Sequence, residues 1–113
     1  MDESRVEAYE AFREGMWLLD TREYHQAVVA LQRARTLEPD KSSIREALGR
    51  AYLSSRAYRK AADEFAVAVE LDPTDGYAHY GLARSLERLG DPKADLHYRL
   101  ARTYRLGLRE GAL

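Results

Sequence analysis

Three histidines, His25, His79 and His97, are the side chains in this 113-residue chain best suited to metal binding or proton transfer. His79 follows Asp75 by four positions, a spacing that sets a carboxylate and an imidazole one turn apart on a helix face. That pair could hold a metal, but no third ligand is evident, and Asp75 stands where a helix needs an N-terminal cap. His25 and His97 are expected to be half-exposed surface residues. No cysteine is present, so thiol catalysis, disulfides and cysteine-ligated zinc are excluded. No glycine-rich phosphate loop and no Ser–His–Asp pattern at recognisable spacing occurs. The carboxylates stand on helical surfaces expected to face water. The expectation is a protein that is not an enzyme and needs no cofactor and no metal.

A second set of residues suits recognition rather than reaction. Tyr9, Phe12, Arg13 and Met16 fall on one helical stripe, Ser43, Glu46, Ala47 and Arg50 on another, and Tyr77, Tyr80, Gly81, Arg84 and Arg88 on a third. Tyrosine and arginine are common anchors at interfaces, and arginine can hold a carboxylate through two parallel hydrogen bonds. Arg50 and Arg84 stand at equivalent places and could grip an extended or helical segment carrying acidic residues. The alternative is a solvated face on which Glu46 and Glu87 are local ion-pair partners of the arginines.

These stripes require helices, and the chain is written for them. Alanine, leucine, arginine and glutamate dominate, and apolar residues recur at three- and four-residue spacing rather than two. The patterning predicts six helices at about 3–20, 23–36, 42–55, 58–71, 76–89 and 92–107. Glu38-Pro39-Asp40 and Asp72-Pro73-Thr74-Asp75 place a proline where a helix must stop. Asp40, Ser42 or Ser43 can cap the helix after the first break, with Ser43 and Glu46 spaced as a capping box; Thr74 or Asp75 can cap the helix after the second. The turns at Asp20-Thr21-Arg22, Ser55-Arg56-Ala57 and Gly90-Asp91-Pro92 are short, which forces antiparallel neighbours.

The chain also repeats itself. Gly15 and Gly49, Tyr24 and Tyr58, Ala27 and Ala61, Ala34 and Ala68, Leu37 and Leu71, and Pro39 and Pro73 are each 34 positions apart. Such a period marks stacked supersecondary units. Leu48-Gly49, Tyr52, Tyr58, Ala61, Phe65, Ala68, Leu71 and Pro73 resemble a tetratricopeptide repeat. Gly15, Leu18, Tyr24, Ala27, Leu31, Ala34, Leu37 and Pro39 keep the same places in the first copy. A degenerate third copy keeps Leu82-Ala83, Leu86, Gly90, Ala94, Tyr98 and Ala101, with one residue lost in its turn and no closing proline. The repeats run over about 8–41, 42–75 and 76–108 within a single domain, 1–113. The resemblance implies an all-α fold of three antiparallel helix hairpins, stacked as a right-handed superhelical solenoid.

The resemblance also implies a function: a protein–protein interaction adaptor that binds a partner peptide or helix in a concave groove lined by the first helix of each hairpin. The groove residues would be Tyr9, Phe12, Arg13, Met16, Glu46, Arg50, Tyr77, Tyr80, Arg84 and Arg88. The Lys-Asn-Asn-Lys-Arg clamp by which some relatives hold chaperone tails would fall on Phe12, Met16, Ala47, Tyr77 and Gly81, none of which carries the donor, so that mode is rejected. Gly15, Gly49 and Ala83 must be small for helices to approach, with Leu31, Phe65 and Tyr98 filling the space beside them. Ala11, Arg45 and His79 occupy the slot where the family often has tryptophan, and Glu14 a slot usually apolar. Trp17, aligned with Ala51 and Ser85, is read as covering the open N-terminal edge, with partner contact as the alternative.

A second reading is a self-associating scaffold. Leu96, Leu100 and Tyr104, with Leu106 and Leu108 beyond, could form an open apolar end through which two molecules pair as a homodimer. Arg99, Arg102, Arg105 and Arg109 could instead solvate it. Net charge is −1, which gives no field for nucleic acid or an anionic membrane. The first residues lack the apolar core of a secretory signal, and no apolar run approaches a membrane span, so a cytoplasmic protein is expected. Fifteen arginines against three lysines suggest a GC-rich, bacterial genome.

Overall fold

The computed structural model describes the backbone of residues 2–112 and the side chains of residues 2–105. Six helices run in chain order: α1 Glu3–Asp20, α2 Tyr24–Leu37, α3 Ser42–Ser54, α4 Tyr58–Leu71, α5 Gly76–Arg88 and α6 Ala94–Ala112. No strand occurs among the described residues. Each helix packs on its chain neighbours, giving three antiparallel hairpins in a stack. The backbones of α1 and α3 also approach closely, as do those of α3 and α5, whereas those of α2 and α4, and of α4 and α6, do not among the described residues. The stack therefore curves with the odd-numbered helices on its inner face.

Small residues set the distance between helices. A Cβ on Gly15 would come within 2.5 Å of Leu31, and one on Gly49 within 2.9 Å of Phe65. Leu31 and Phe65 fill the space so created and are sealed from solvent at 0 % and 1 % exposure. Phe65 does more than the repeat pattern required. Its ring reaches across to α5, where a Cβ on Gly81 would lie 2.3 Å from it. Gly81, expected in the groove lining, does line a cleft between α3 and α5, but as a buried residue against which Phe65 packs.

The three hairpin turns share one device. Arg22, Arg56 and Gly90 all have positive φ, at 63°, 65° and 73°. Only glycine takes that conformation without crowding its own Cβ, so the first two turns carry a modest strain that the third avoids.

At the proline breaks the outcome is mixed. Asp75 caps α5, its carboxylate accepting from the amides of Tyr77 at 3.0 Å and Ala78 at 3.2 Å. Thr74 is bound to Asp72 instead. The capping box expected of Ser43 and Glu46 does not form, because α3 begins at Ser42, which puts Ser43 inside the helix, and its cap residue, Lys41, offers no side-chain bond. Helix α6 extends to Ala112, past the expected end near 107.

The slot expected to hold Trp in relatives is filled three ways. Ala11 is buried in the first hairpin. In the second, Arg45 donates from Nε to the Pro39 carbonyl at 2.8 Å and pairs through Nη1 with Glu64 of α4 at 3.1 Å. Arg35 of α2 completes this triad on the other Glu64 oxygen. In the third, His79 holds the Pro73 carbonyl from Nε2 at 2.8 Å and meets His97 of α6. The arginine and the histidine thus make the same two contacts 34 residues apart.

The two ends differ from the middle. Ile44, Leu48 and Ala51 of α3 are buried, and Ser85, which matches Ala51, is too. The matching residues of α1 are Glu10, Glu14 and Trp17. Trp17 is 64 % exposed, so it does not fold down as a cover. Its stripe neighbours Glu10 and Glu14 are charged. On α6 the residues that match Ala62, Ala66 and Val69 are Asp95, Arg99 and Arg102, all exposed. Leu96 is 46 % exposed, Leu100 is half-buried, and Tyr104 stacks inward on His79 with ring centroids 5.5 Å apart. The apolar stripe expected on α6 is therefore divided between surface and interior. Leu106, Leu108 and Arg109 lie outside the residues whose side chains are described.

Candidate functional site: two clefts on the inner face

Among the described residues, the inner face carries two clefts that the expected stripes reach. The first, about 340 Å³, lies between the start of α1 and α3 and is lined by Arg5, Val6, Ala8, Tyr9, Phe12, Glu38, Lys41 and Ile44. Tyr9 is 60 % and Val6 42 % exposed, an apolar edge open to solvent. Glu38 rims the cleft with Arg5 at 3.6 Å and Lys41 at 4.0 Å. These pairs are exposed and contribute little to stability.

The second cleft, about 560 Å³, lies between α3 and α5 and is lined by Glu46, Arg50, Leu53, Ser54, Phe65, Tyr77, Tyr80 and Gly81. Tyr77 stands 65 % and Tyr80 39 % exposed. Both rings are positioned by α6: the Arg105 guanidinium lies 5.1 Å from the Tyr77 ring, and Tyr98 meets Tyr80 edge-on at 5.9 Å. Gly76 permits this approach, since a Cβ there would lie 2.7 Å from the Arg105 stem and 3.2 Å from the Ala101 carbonyl.

Glu46 is the unusual group of this cleft. Its partner is not Arg50: no Glu46 ion pair occurs among the described residues. Burial, and then the Asp75 carboxylate beside it, push its carboxyl up to about 8, with Arg50 pulling weakly the other way. Burial and a neighbouring like charge both disfavour the ionised carboxylate here. Glu87, the other expected arginine partner, instead accepts from the Tyr98 hydroxyl at 2.8 Å. Burial and that bond push the Tyr98 hydroxyl up to about 12.

The expected groove residues divide accordingly. Tyr9 and Phe12 reach the first cleft, and Glu46, Arg50, Tyr77 and Tyr80 the second. Arg13 lies over the Tyr9 ring at 5.9 Å, and Met16 is half-buried against the core. Arg84 donates to the Tyr80 hydroxyl at 3.3 Å, so it braces a groove aromatic and does not form a fork with Arg50. Arg88 lies over Tyr58 of α4 at 5.7 Å, off both clefts. The lining residues outside the expected stripes include Arg5 and Val6 one turn before Tyr9, Leu53 and Ser54 one turn beyond Arg50, and Glu38, Lys41 and Phe65 from other segments. Carrying each stripe one turn further along its helix would have found the first four; the others reach the clefts only once the helices are stacked. Among the described residues no three metal-ligating side chains converge, and no helix is long and apolar enough to cross a membrane.

Stacked hairpins curved around an aromatic-lined inner face define a helical-repeat interaction module. The tetratricopeptide repeat model matches residues 18–84, and the chain belongs to that family. It is 36 % identical over 81 residues to human Superkiller complex protein 3 and 32 % identical over 77 residues to Superkiller protein 3 of Schizosaccharomyces pombe. Those alignments cover 72 % and 68 % of this chain but only 5 % and 6 % of those much longer proteins. Among solved structures, MamA (AMB-1) superposes with a TM-score of 0.81 at 27 % identity, over 88 % of this chain and 60 % of that one. A chain of a CopN–Scc3 complex superposes with a TM-score of 0.79 at 18 % identity, over 86 % of this chain and 58 % of that one, a likeness of fold alone.

Proposed function

We infer that the inner face binds a segment of another protein, a peptide or a helix, laid across α1, α3 and α5. The observation that carries this reading is the exposure of Tyr9, Tyr77 and Tyr80 on the inner face of the curve. Exposed rings held in place by a rigid frame bind without much further loss of side-chain freedom. The two clefts give the segment two seats. The arginine fork for an acidic partner loses support, because Arg84 is turned to Tyr80. Self-association through α6 is the weaker reading, since the stripe that would receive another hairpin carries Asp95, Arg99 and Arg102.

The test compares partners recovered from the native cell with the wild type, with a Tyr77→Ala/Tyr80→Ala variant and with Trp17→Ala. Groove binding requires that the double variant lose its partner by roughly ten-fold or more in affinity, as loss of two interface anchors should cause, while Trp17→Ala retains it. Retention by the double variant together with loss in Trp17→Ala would move the site to the N-terminal edge.

A further inference from the structure

His79 is buried on the groove helix α5, between Tyr77 and Tyr80 in the chain. Its Nε2 lies 2.8 Å from the Pro73 carbonyl and its Nδ1 lies 3.1 Å from Nδ1 of His97 on α6. A carbonyl only accepts, so Nε2 of His79 carries a proton. In the neutral ring Nδ1 is then the acceptor, and His97 must donate to it from its own Nδ1. The ring centroids are 5.3 Å apart and the planes differ by 19°, so this N–H···N bond runs close to the line joining the ring centres. One ring nitrogen, Nε2 of the half-buried His97, can take up a proton with the contact intact. A further proton would aim N–H at N–H and set two imidazolium charges against each other.

The surroundings offer little to hold such charge. Tyr104 of α6 stacks on His79. Burial, His79 and Lys93 all hold the His97 imidazole below its ordinary value, with Asp91 opposing them weakly. On α4 the position matching Arg35 is Val69, which is uncharged. Asp75, one turn before His79, is committed to the amides of Tyr77 and Ala78.

We propose that the His79–His97 contact is an acid-sensitive latch, whose protonation just below neutral pH releases α6 from α5 while the first two hairpins stay folded. Released, both imidazoles take up protons near the ordinary value of about 6.5. Docked, the pair has one ring nitrogen left to accept a proton, Nε2 of His97, because the other three are engaged in the two hydrogen bonds. The released state thus binds more protons, and docking weakens as the pH falls below about 6.5. The first two hairpins contain no histidine at the matching positions, which are Ala11 with Ala30 and Arg45 with Glu64. Because α6 supplies Arg105 to Tyr77 and Tyr98 to Tyr80, its release also unseats both tyrosines of the second cleft.

Nuclear magnetic resonance on the full chain tests this without any partner. At pH 7.5 the histidine spectra should show His79 protonated on Nε2 and His97 on Nδ1. Between pH 7.5 and 5.0 the opening constant of the α6 amides, corrected for intrinsic exchange, should rise roughly ten- to thirty-fold. Amides of α2 and α3 should stay within about two-fold. The double variant H79R/H97E, which installs the ion pair of the second hairpin, should remove the rise. His97→Gln keeps a donor for His79 while removing one titrating ring, so it should reduce the rise even if the double variant does not fold. The opposite tautomers, equal loosening of all three hairpins, or an undiminished rise in His97→Gln would each overturn the latch.

Discussion

Where Arg45 of α3 meets Glu64 of α4 in the second hairpin, the third sets His79 of α5 against His97 of α6. Both first partners reach back to a proline carbonyl, Pro39 in one case and Pro73 in the other. The frame is the same and the chemistry is not. The ion triad joins three helices of two hairpins, because Arg35 of α2 also holds Glu64. The histidine pair joins only α5 and α6 and depends on which ring nitrogens carry protons. The neighbouring core position diverges likewise. Phe65 is enclosed between α3 and α5, whereas Tyr98 is half-buried and turns its hydroxyl to Glu87. The lesson is that a repeat conserves the distance between helices more strictly than the interaction that spans it. The middle hairpin is tied on both sides and the last on one.

The sharpest way to break this comparison is to remove both core rings in turn. Phe65→Ala should destabilise the chain by about 3–5 kcal/mol, as expected for an enclosed aromatic, whereas Tyr98→Ala should cost about half as much. Urea unfolding followed by circular dichroism measures both, and equal losses would mean that the third hairpin is bound as tightly as the second. Glu64→Ala comes next, at about 2–3 kcal/mol, because it strands two guanidiniums against one another. The estimate sits below that for a fully buried pair because the Arg35 and Arg45 side chains remain 30 % and 18 % exposed. A Glu64→Ala/Arg35→Ala double variant that recovers part of the loss would show that stranded charge, not lost packing, is the cause. The smallest effect belongs to the turns. Arg56→Gly should be neutral to about 1 kcal/mol stabilising, and Gly90→Ala about 1 kcal/mol destabilising, since the second forces a Cβ into a backbone that the first relieves. Thermal midpoints that move the same way in both variants would contradict the shared left-handed turn.

Much of the fold was legible before any coordinate. The period, the proline breaks, the small residues at Gly15 and Gly49 and the cap at Asp75 depend on local chemistry or on a spacing that can be counted. The placement of the stripes was legible for the same reason, and six of the ten expected groove residues do line a cleft. The remaining four went elsewhere because long side chains choose among several neighbours. Arg84 and Arg88 found tyrosines, Arg13 a ring on its own helix, and Met16 the core. Ser43 and Glu46 had the spacing of a capping box, but Ser43 lies inside the helix that starts at Ser42, and the Glu46 carboxyl fell under the influence of Asp75 from the next hairpin.

Chain chemistry by itself determined the helices, their pairing into hairpins and the family, because helix periodicity and a 34-residue repeat are properties of spacing. Tertiary structure alone decided that Glu64 is buried with two arginines, that Gly81 packs against Phe65, that the Glu46 carboxyl is partly buried beside Asp75 and that two distant histidines share one hydrogen bond. Each of these depends on side chains from different helices meeting at a few ångströms. Hydrogen bonding and desolvation act only at that range, so sequence spacing cannot reveal them until the stack is assembled.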